Sequence, residues 1–589
     1  MDASPFSSRL HTGYFATPTE TLQIKSILQH EKAIIDGLGE RIEEARKTLQ
    51  ALERRRQEQQ ALVDRHSASI PPINTLPADI LEAIFLKLHS DSKATSAGAL
   101  HGTLPIPVVL SHVCRNWRTL VLATPALWSY IEIKPFPYET TLDTLMDINI
   151  YDSTIALAEQ LTPRALAIYE DDLKRWAQKI ERQKVIVDVC LERSCQHPLD
   201  LFIYYAHQQT KEGIAAQARQ VLMSFFLHAF TTSQRWRSAT LDIDLPDLPD
   251  LLKFFEYPST SFPILERLTI RFNTIPGGMT LGIVGAPSLH TLSISSGDGM
   301  DPFAAGVNWS TIVHLNIMSA TAQHLIEILG ACPSLTRLSL FTLKDGFWSF
   351  QLPTRPVHHG QLRALRLTQG PWDHQLPLYL SLPSLYELSF ISSIHEPGAT
   401  EDEDTSPIVG WIKHYGDQLT ALTVPLSSLT PSALDNALEH IPHVRRLRLG
   451  SPNEDHQFAA MEGLKASPRM WDAAGTRISP EVFERLTPRR REDGEWGQCC
   501  CPELEFFACE LEELDEDCMA AILNLVIARR SGEGAFTAFK ELNVWTAIRP
   551  EVDLRTELEK QNLDMEGLNV QVFHGAQGYD GYHWKALSF

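Results

Sequence analysis

Residues 332–341 read CPSLTRLSLF. Leu335, Leu338 and Leu340 stand in the order apolar, two variable, apolar, one variable, apolar. The same trio occurs upstream as Leu265-Leu268-Ile270, Leu289-Leu292-Ile294 and Ile312-Leu315-Ile317. It continues downstream as Leu362-Leu365-Leu367, Leu385-Leu388-Phe390, Leu419-Leu422-Val424, Val444-Leu447-Leu449, Leu504-Phe507-Cys509 and Phe539-Leu542-Val544. Side chains alternate along a strand, so the last two members of each trio point to one side and the residues between them to the other. The first six units start 23 to 27 residues apart. Many are preceded by proline (FPIL, APSL, CPSL, LPSL, IPHV, CPEL), and stretches such as 322–329 and 431–439 have helical character. A period in the twenties marks stacked repeats, none of which buries its own core, so stability comes from neighbours.

The array resembles leucine-rich repeats built from helix–loop–strand units. That resemblance implies an α/β repeat fold, a solenoid over residues 236–589. The asparagine that often follows the family's motif stands only at Asn273, so the solenoid is expected to be irregular. Wider gaps place insertions near 396–410, around the acidic run 401–405, and at 451–500. A last unit is expected at 554–573. The aromatic tail 575–589 is expected to cover the open end of the array. Residues 134–235 read as a helical connection with degenerate first repeats.

Ahead of this lies a second informative stretch, residues 73–133: INTLPADILEAIFLKLHS, a polar insertion at 90–105, and PVVLSHVCRNWRTLVLATPALWSYIEI. Leu76, Ile80, Ile84, Phe85 and Leu88 fall on one broad helical face. Pro77 sits just inside the helix start and Thr75 is placed to cap it. Val109, Val113, Trp117 and Leu120 belong to a second helix, and Leu127 and Trp128 end a third short turn. This is more apolar surface than so short a cluster buries alone. Leu76-Pro77, Ile84-Phe85, Val113-Cys114-Arg115, Trp117-Arg118, Pro125 and Leu127-Trp128 resemble, in order and spacing, an F-box. The resemblance implies docking on a Skp-type adaptor and, through it, on a cullin-RING ubiquitin ligase. The residues it assigns to the contact and its supporting core are Leu76, Pro77, Ile80, Ile84, Phe85, Val113, Trp117 and Trp128. The insertion departs from the family's pattern and bears on the strength of adaptor binding.

The first 20 residues are polar and are expected to be disordered. Residues 21–66 read as a helix. Leu28, Ile35, Ile42 and Leu49 recur every seven residues; Leu38, Ala45 and Leu52 do so three positions later, and the pattern stops at Arg56. Such heptads predict a coiled-coil dimer or a helix packed back on its own chain. Gly37 and Gly39 each cost about 1 kcal/mol of helix propensity.

The bulk numbers narrow the function. The formal charge of −21 argues against non-specific nucleic-acid binding. Nine scattered cysteines read as reduced thiols, and no apolar leader or run of about 18 apolar residues is present. The expectation is a cytoplasmic or nuclear protein without a membrane span. Cys499-Cys500-Cys501 and His358-His359 lack structural-zinc spacing. Asp242, Asp244, Asp247 and Asp250 read as a solvated loop. No phosphate-binding glycine loop, nucleophile elbow or zinc-protease helix is found. No catalytic residue, metal or cofactor is expected.

The outward strand positions carry Arg267, Arg271, Arg337, Arg366, Arg446 and Arg448, with Glu387 as the acid among them. Arginine forks match carboxylate and phosphate oxygens, so this strip is a candidate site for an acidic or phosphorylated target segment. The competing reading is that arginine stems only cover apolar strand edges. The expected function is a substrate-recognition subunit of an SCF-type ligase. The alternatives are an F-box scaffold without a ligase role and a cryptic hydrolase or metalloenzyme.

Overall fold

In the computed structural model, the described residues are 15–68, 76–95, 105–135, 163–205, 215–243, 262–272, 286–296, 307–318, 322–341, 354–368, 375–391, 407–425, 429–450, 478–489, 499–511, 513–531, 539–546, 553–561, 566–574 and 585–586, with a few isolated positions between them. The chain falls into two compact units, Met1–Phe85 and Leu86–Phe589.

The first unit is dominated by helix α1, Pro18–Ala68, 51 residues long. It begins three residues before the sequence pattern placed it, and the cause is local. The Thr17 N–H donates to the Glu20 carboxylate (2.9 Å), and the Glu20 N–H to the Thr17 hydroxyl (3.4 Å). This is a capping box with proline at the first helical position. The expectation of disorder over 1–20 therefore fails for residues 18–20; most of 1–14 lie outside the described residues.

The second unit is α/β. Among the described residues, fifteen strands form one sheet in chain order, from Tyr130–Ile133 to Lys585–Ala586. Every neighbouring pair is parallel except the last, where Phe573 and His574 pair antiparallel with Ala586 and Lys585. Two short strands, Val357–His358 and Leu380–Ser381, form a separate parallel pair. The trios set the register: Leu292 pairs with Leu268 on one side and Leu315 on the other, and Leu338, Leu365 and Leu388 continue the row. The paired inward residues are almost fully covered, Leu268 and Ile270 at 1% and 0%, Leu365 and Leu367 at 0%. Helices such as Ala322–Ala331 and Pro431–Glu439 return the chain between strands. Contacts there are close enough that a Cβ on Gly416 would stand 1.9 Å from the His440 carbonyl oxygen.

Two boundaries differ from expectation. Tyr130–Ile133, a short strand closing the 73–133 stretch by its sequence, belongs to the sheet as its first strand, paired with 200–203, because Ile131 and Ile133 alternate into the core. The 90–105 insertion is set apart from the front helices by its sequence, but helix α2, Ala78–Thr95, runs into it. Residues 96–104, Thr75, most of the two later insertions, Asp244, Asp247, Asp250 and nearly all of the tail lie outside the described residues.

Candidate functional site

The front segment presents apolar side chains on a braced frame. Within the first unit, the Leu81 N–H reaches the Pro77 carbonyl (3.1 Å) as α2 begins. Leu81 and Phe85 are buried, while Ile80 and Ile84 are 45% and 42% exposed. In the second unit, Leu88 is 47% exposed and His89 is buried, its ring edge-on to Tyr130. Ile80, Ile84 and Leu88 are four residues apart and so lie in one row of α2.

Two further helices, α3 (Ile106–Ser111) and α4 (Arg115–Ala123), and a 3-10 turn (Pro125–Trp128) complete the segment. Cys114 caps α4, its Sγ accepting from the Trp117 N–H at 3.5 Å. The Arg118 Nε donates to the Ser111 carbonyl (2.8 Å), tying α4 to α3. The Trp128 indole donates to the Val121 carbonyl (2.9 Å), and the Arg193 guanidinium lies 5.3 Å over its ring. Trp128, Leu127 and Val121 are buried, whereas Val109 and Val113 are 48% and 57% exposed.

Of the eight residues assigned to adaptor contact, Pro77, Ile80, Ile84 and Val113 are exposed and Leu76 and Trp117 half-buried. Phe85 and Trp128 are core residues and offer no free surface. Leu88 and Val109 join the exposed set; the single helix expected through Val109, Val113, Trp117 and Leu120 is two helices, with Val113 in the turn between them.

The outward face of the sheet is organised in rows by the strand register. One row runs Arg267, Thr291, His314, Arg337, Ala364, Glu387, Ala421, Arg446. The next runs Thr269, Ser293, Asn316, Ser339, Arg366, Ser389, Thr423, Arg448, arginines set among hydroxyl and amide side chains. Arg267, Arg337 and Arg446 are exposed, and Arg366 and Arg448 half-buried. Arg446 lies 5.1 Å over the Phe506 ring and Arg448 5.0 Å over Trp545, which stacks on Phe573.

Two readings of this face need correction. Arg271 pairs with Asp242 on the neighbouring strand at 3.2 Å, so its charge is already matched within the sheet, and Asp242 is a strand residue and not part of a solvated loop. The face is also less one-sided than the arginine list implied. Asp200, Asp242, Glu387 and Glu541 share it, and Asp200 is gripped by Arg237 through two contacts of 2.7 and 3.2 Å. The basic character is confined to the middle strands. His314 belongs to it: partial burial, then the charges of Arg337 and His290, hold its pKa below the ordinary imidazole value.

The cysteine triplet has a structural partner. Arg529, 1% exposed, donates to the carbonyls of Leu486 (2.6 and 3.0 Å), Cys500 (3.1 Å) and Cys501 (3.1 Å). It thereby pins the 499–501 backbone to the helices Pro480–Leu486 and Glu516–Ser531. Burial raises the Cys499, Cys500 and Cys501 thiols and lowers Arg529. His359 is a second strut: its Nδ1 accepts from the Leu362 N–H (3.1 Å), which leaves Nε2–H to donate to the Cys332 carbonyl (2.9 Å). Among the described residues no three His, Cys, Asp or Glu side chains come together to hold a metal ion. No described helix is long and apolar enough to cross a membrane.

No protein-family model matches the chain, and no curated protein matches it. A crystal structure of a protein from Bacteroides fragilis, a structural-genomics target, is a weak structural neighbour: 13% identical, TM-score 0.28, covering 62% of this chain and 84% of that one. A likeness at that level carries no argument.

Proposed function

We propose that this protein is the substrate-recognition subunit of an SCF-type ubiquitin ligase. In this reading residues 73–133 are an F-box that binds a Skp-type adaptor. The long parallel sheet with its returning helices is an irregular leucine-rich-repeat solenoid whose outward face binds a target protein. The observation that carries the reading is the row Ile80, Ile84 and Leu88, all between 42% and 47% exposed on a helix whose neighbouring row, Leu81, Phe85 and His89, is buried. Exposed aliphatic rows on a braced helix favour a partner, because burying one such side chain stabilises a complex by roughly 1.5–3 kcal/mol. The F-box resemblance supplies the partner's identity. The middle-strand arginines supply the target's chemistry, an acidic or phosphorylated segment. Catalysis requires no residue of this chain; the subunit accelerates transfer by raising the effective concentration of target near the charged ligase.

Affinity capture tests both halves. Wild type should recover adaptor and cullin together, and Ile80→Asp/Ile84→Asp should lose both while keeping the target. Recovery of adaptor without cullin would replace the ligase reading with that of a scaffold. Arg267→Glu/Arg337→Glu/Arg446→Glu should release the target and keep the adaptor; undiminished target capture would remove the arginine face from the account.

A further inference from the structure

The heptad residues of α1 are bare. Leu28, Ile35, Leu38, Ile42, Leu49 and Leu52 are 48% to 65% exposed. A repeat of seven is the period of a helix that winds on another helix, and α1 sustains it from Leu28 to Leu52, through the middle of its length.

The same frame, extended, puts two charges into the seam. Glu31 stands seven residues before Leu38, and Arg56 seven beyond Leu49. In a parallel pair of copies each would meet its own equivalent, glutamate on glutamate and arginine on arginine, and Arg41 would face Arg46 on the flank. Like charges in such positions oppose pairing.

An antiparallel pair resolves every one of these conflicts. One register sets Glu31 against the partner's Arg56, at two symmetric places. The same register sets Ile35 against the partner's Leu52, Leu38 against the partner's Leu49, and Ile42 against the partner's Ala45. On the flanks it brings Lys32 to the partner's Glu53 and Ile27 to the partner's Leu62. Gly39 comes beside the partner's Arg46, and nothing of its own chain lies within 4 Å of where a Gly39 Cβ would stand, which leaves the guanidinium room. Leu28 against the partner's Gln59 is the mismatched layer.

Helix length gives an independent check. The two-fold axis of this register falls between Ile42 and Ala45, and the middle of Pro18–Ala68 is residue 43. The register that pairs the charges therefore also overlaps the two helices end to end, over about 75 Å.

We propose that α1 is a self-association element: two copies of this protein pair through an antiparallel coiled coil, its register fixed by the Glu31–Arg56 pairs. Sedimentation equilibrium of the full chain across the micromolar range tests this. The wild type should be a dimer. E31R and R56E should each weaken dimerisation by roughly tenfold or more, and the E31R/R56E double variant should recover most of the loss. The sheet's unfolding transition and the helical circular dichroism report that each variant is folded. A wild type that stays monomeric throughout overturns the proposal. A dimer whose double variant is no tighter than the single ones overturns the antiparallel register.

Discussion

Leu49 in α1 is 56% exposed, and Leu338 in the sheet is 1% exposed. Both belong to regular aliphatic repeats, one of period seven and one of period near twenty-five. The difference lies in who covers the repeat. In the sheet each inner strand lies between two others, and helices such as Ala322–Ala331 and Pro431–Glu439 return beside it, so the chain supplies its own cover. In α1 the stripe is left exposed among the described residues of the first unit. The front helices combine the two cases: one row of α2 is buried and the adjacent row is exposed. Aliphatic periodicity alone therefore reports that a face exists, and the number of neighbours in the same chain decides whether it becomes core or interface.

This contrast can be broken by substitution. Leu365→Ala, in the fully buried row, should destabilise the sheet by about 3 kcal/mol in denaturant unfolding; a loss near zero would mean the rows do not cover one another. Arg529→Met should cost about 2 kcal/mol, since the Leu486, Cys500 and Cys501 carbonyls lose their donor inside the protein. Leu49→Ala is the same chemical change as the first, placed in α1. It should shift the sheet's unfolding by less than about 0.5 kcal/mol while weakening self-association. The smallest effect concerns pH. The folded pKa of His314 lies below its unfolded value, so the stability it contributes is present above the ordinary imidazole range and lost as pH falls through it. Arg337→Gln should move the His314 pKa upward in an NMR titration and flatten that loss; an unchanged pKa would detach Arg337 from His314.

The repeats were legible because each trio fixes both a strand and its inward side. Tyr130–Ile133 was not read as part of the sheet because it lacks the trio and follows directly on helices. The pairing of Arg271 with Asp242 depends on strand register between residues 29 apart in sequence, which composition does not reveal. Phe85 and Ile84 share one broad apolar face in a helical projection; which of the two is core depends on where the rest of the chain packs. The spacing of the triplet 499–501 argues against a metal site, but its partner Arg529, some thirty residues on and donating to its carbonyls, cannot be read from that spacing.

The adaptor, if it binds, should engage the exposed row of α2 together with Val109 at the end of α3 and Val113 in the turn after it. A binding titration of the purified full chain against a recombinant Skp-type adaptor measures this. Wild type is predicted to bind, with Ile84→Asp and Val113→Asp each weakening the complex by roughly tenfold or more and leaving the unfolding transition unchanged. No binding by wild type, or binding indifferent to both substitutions, would contradict it.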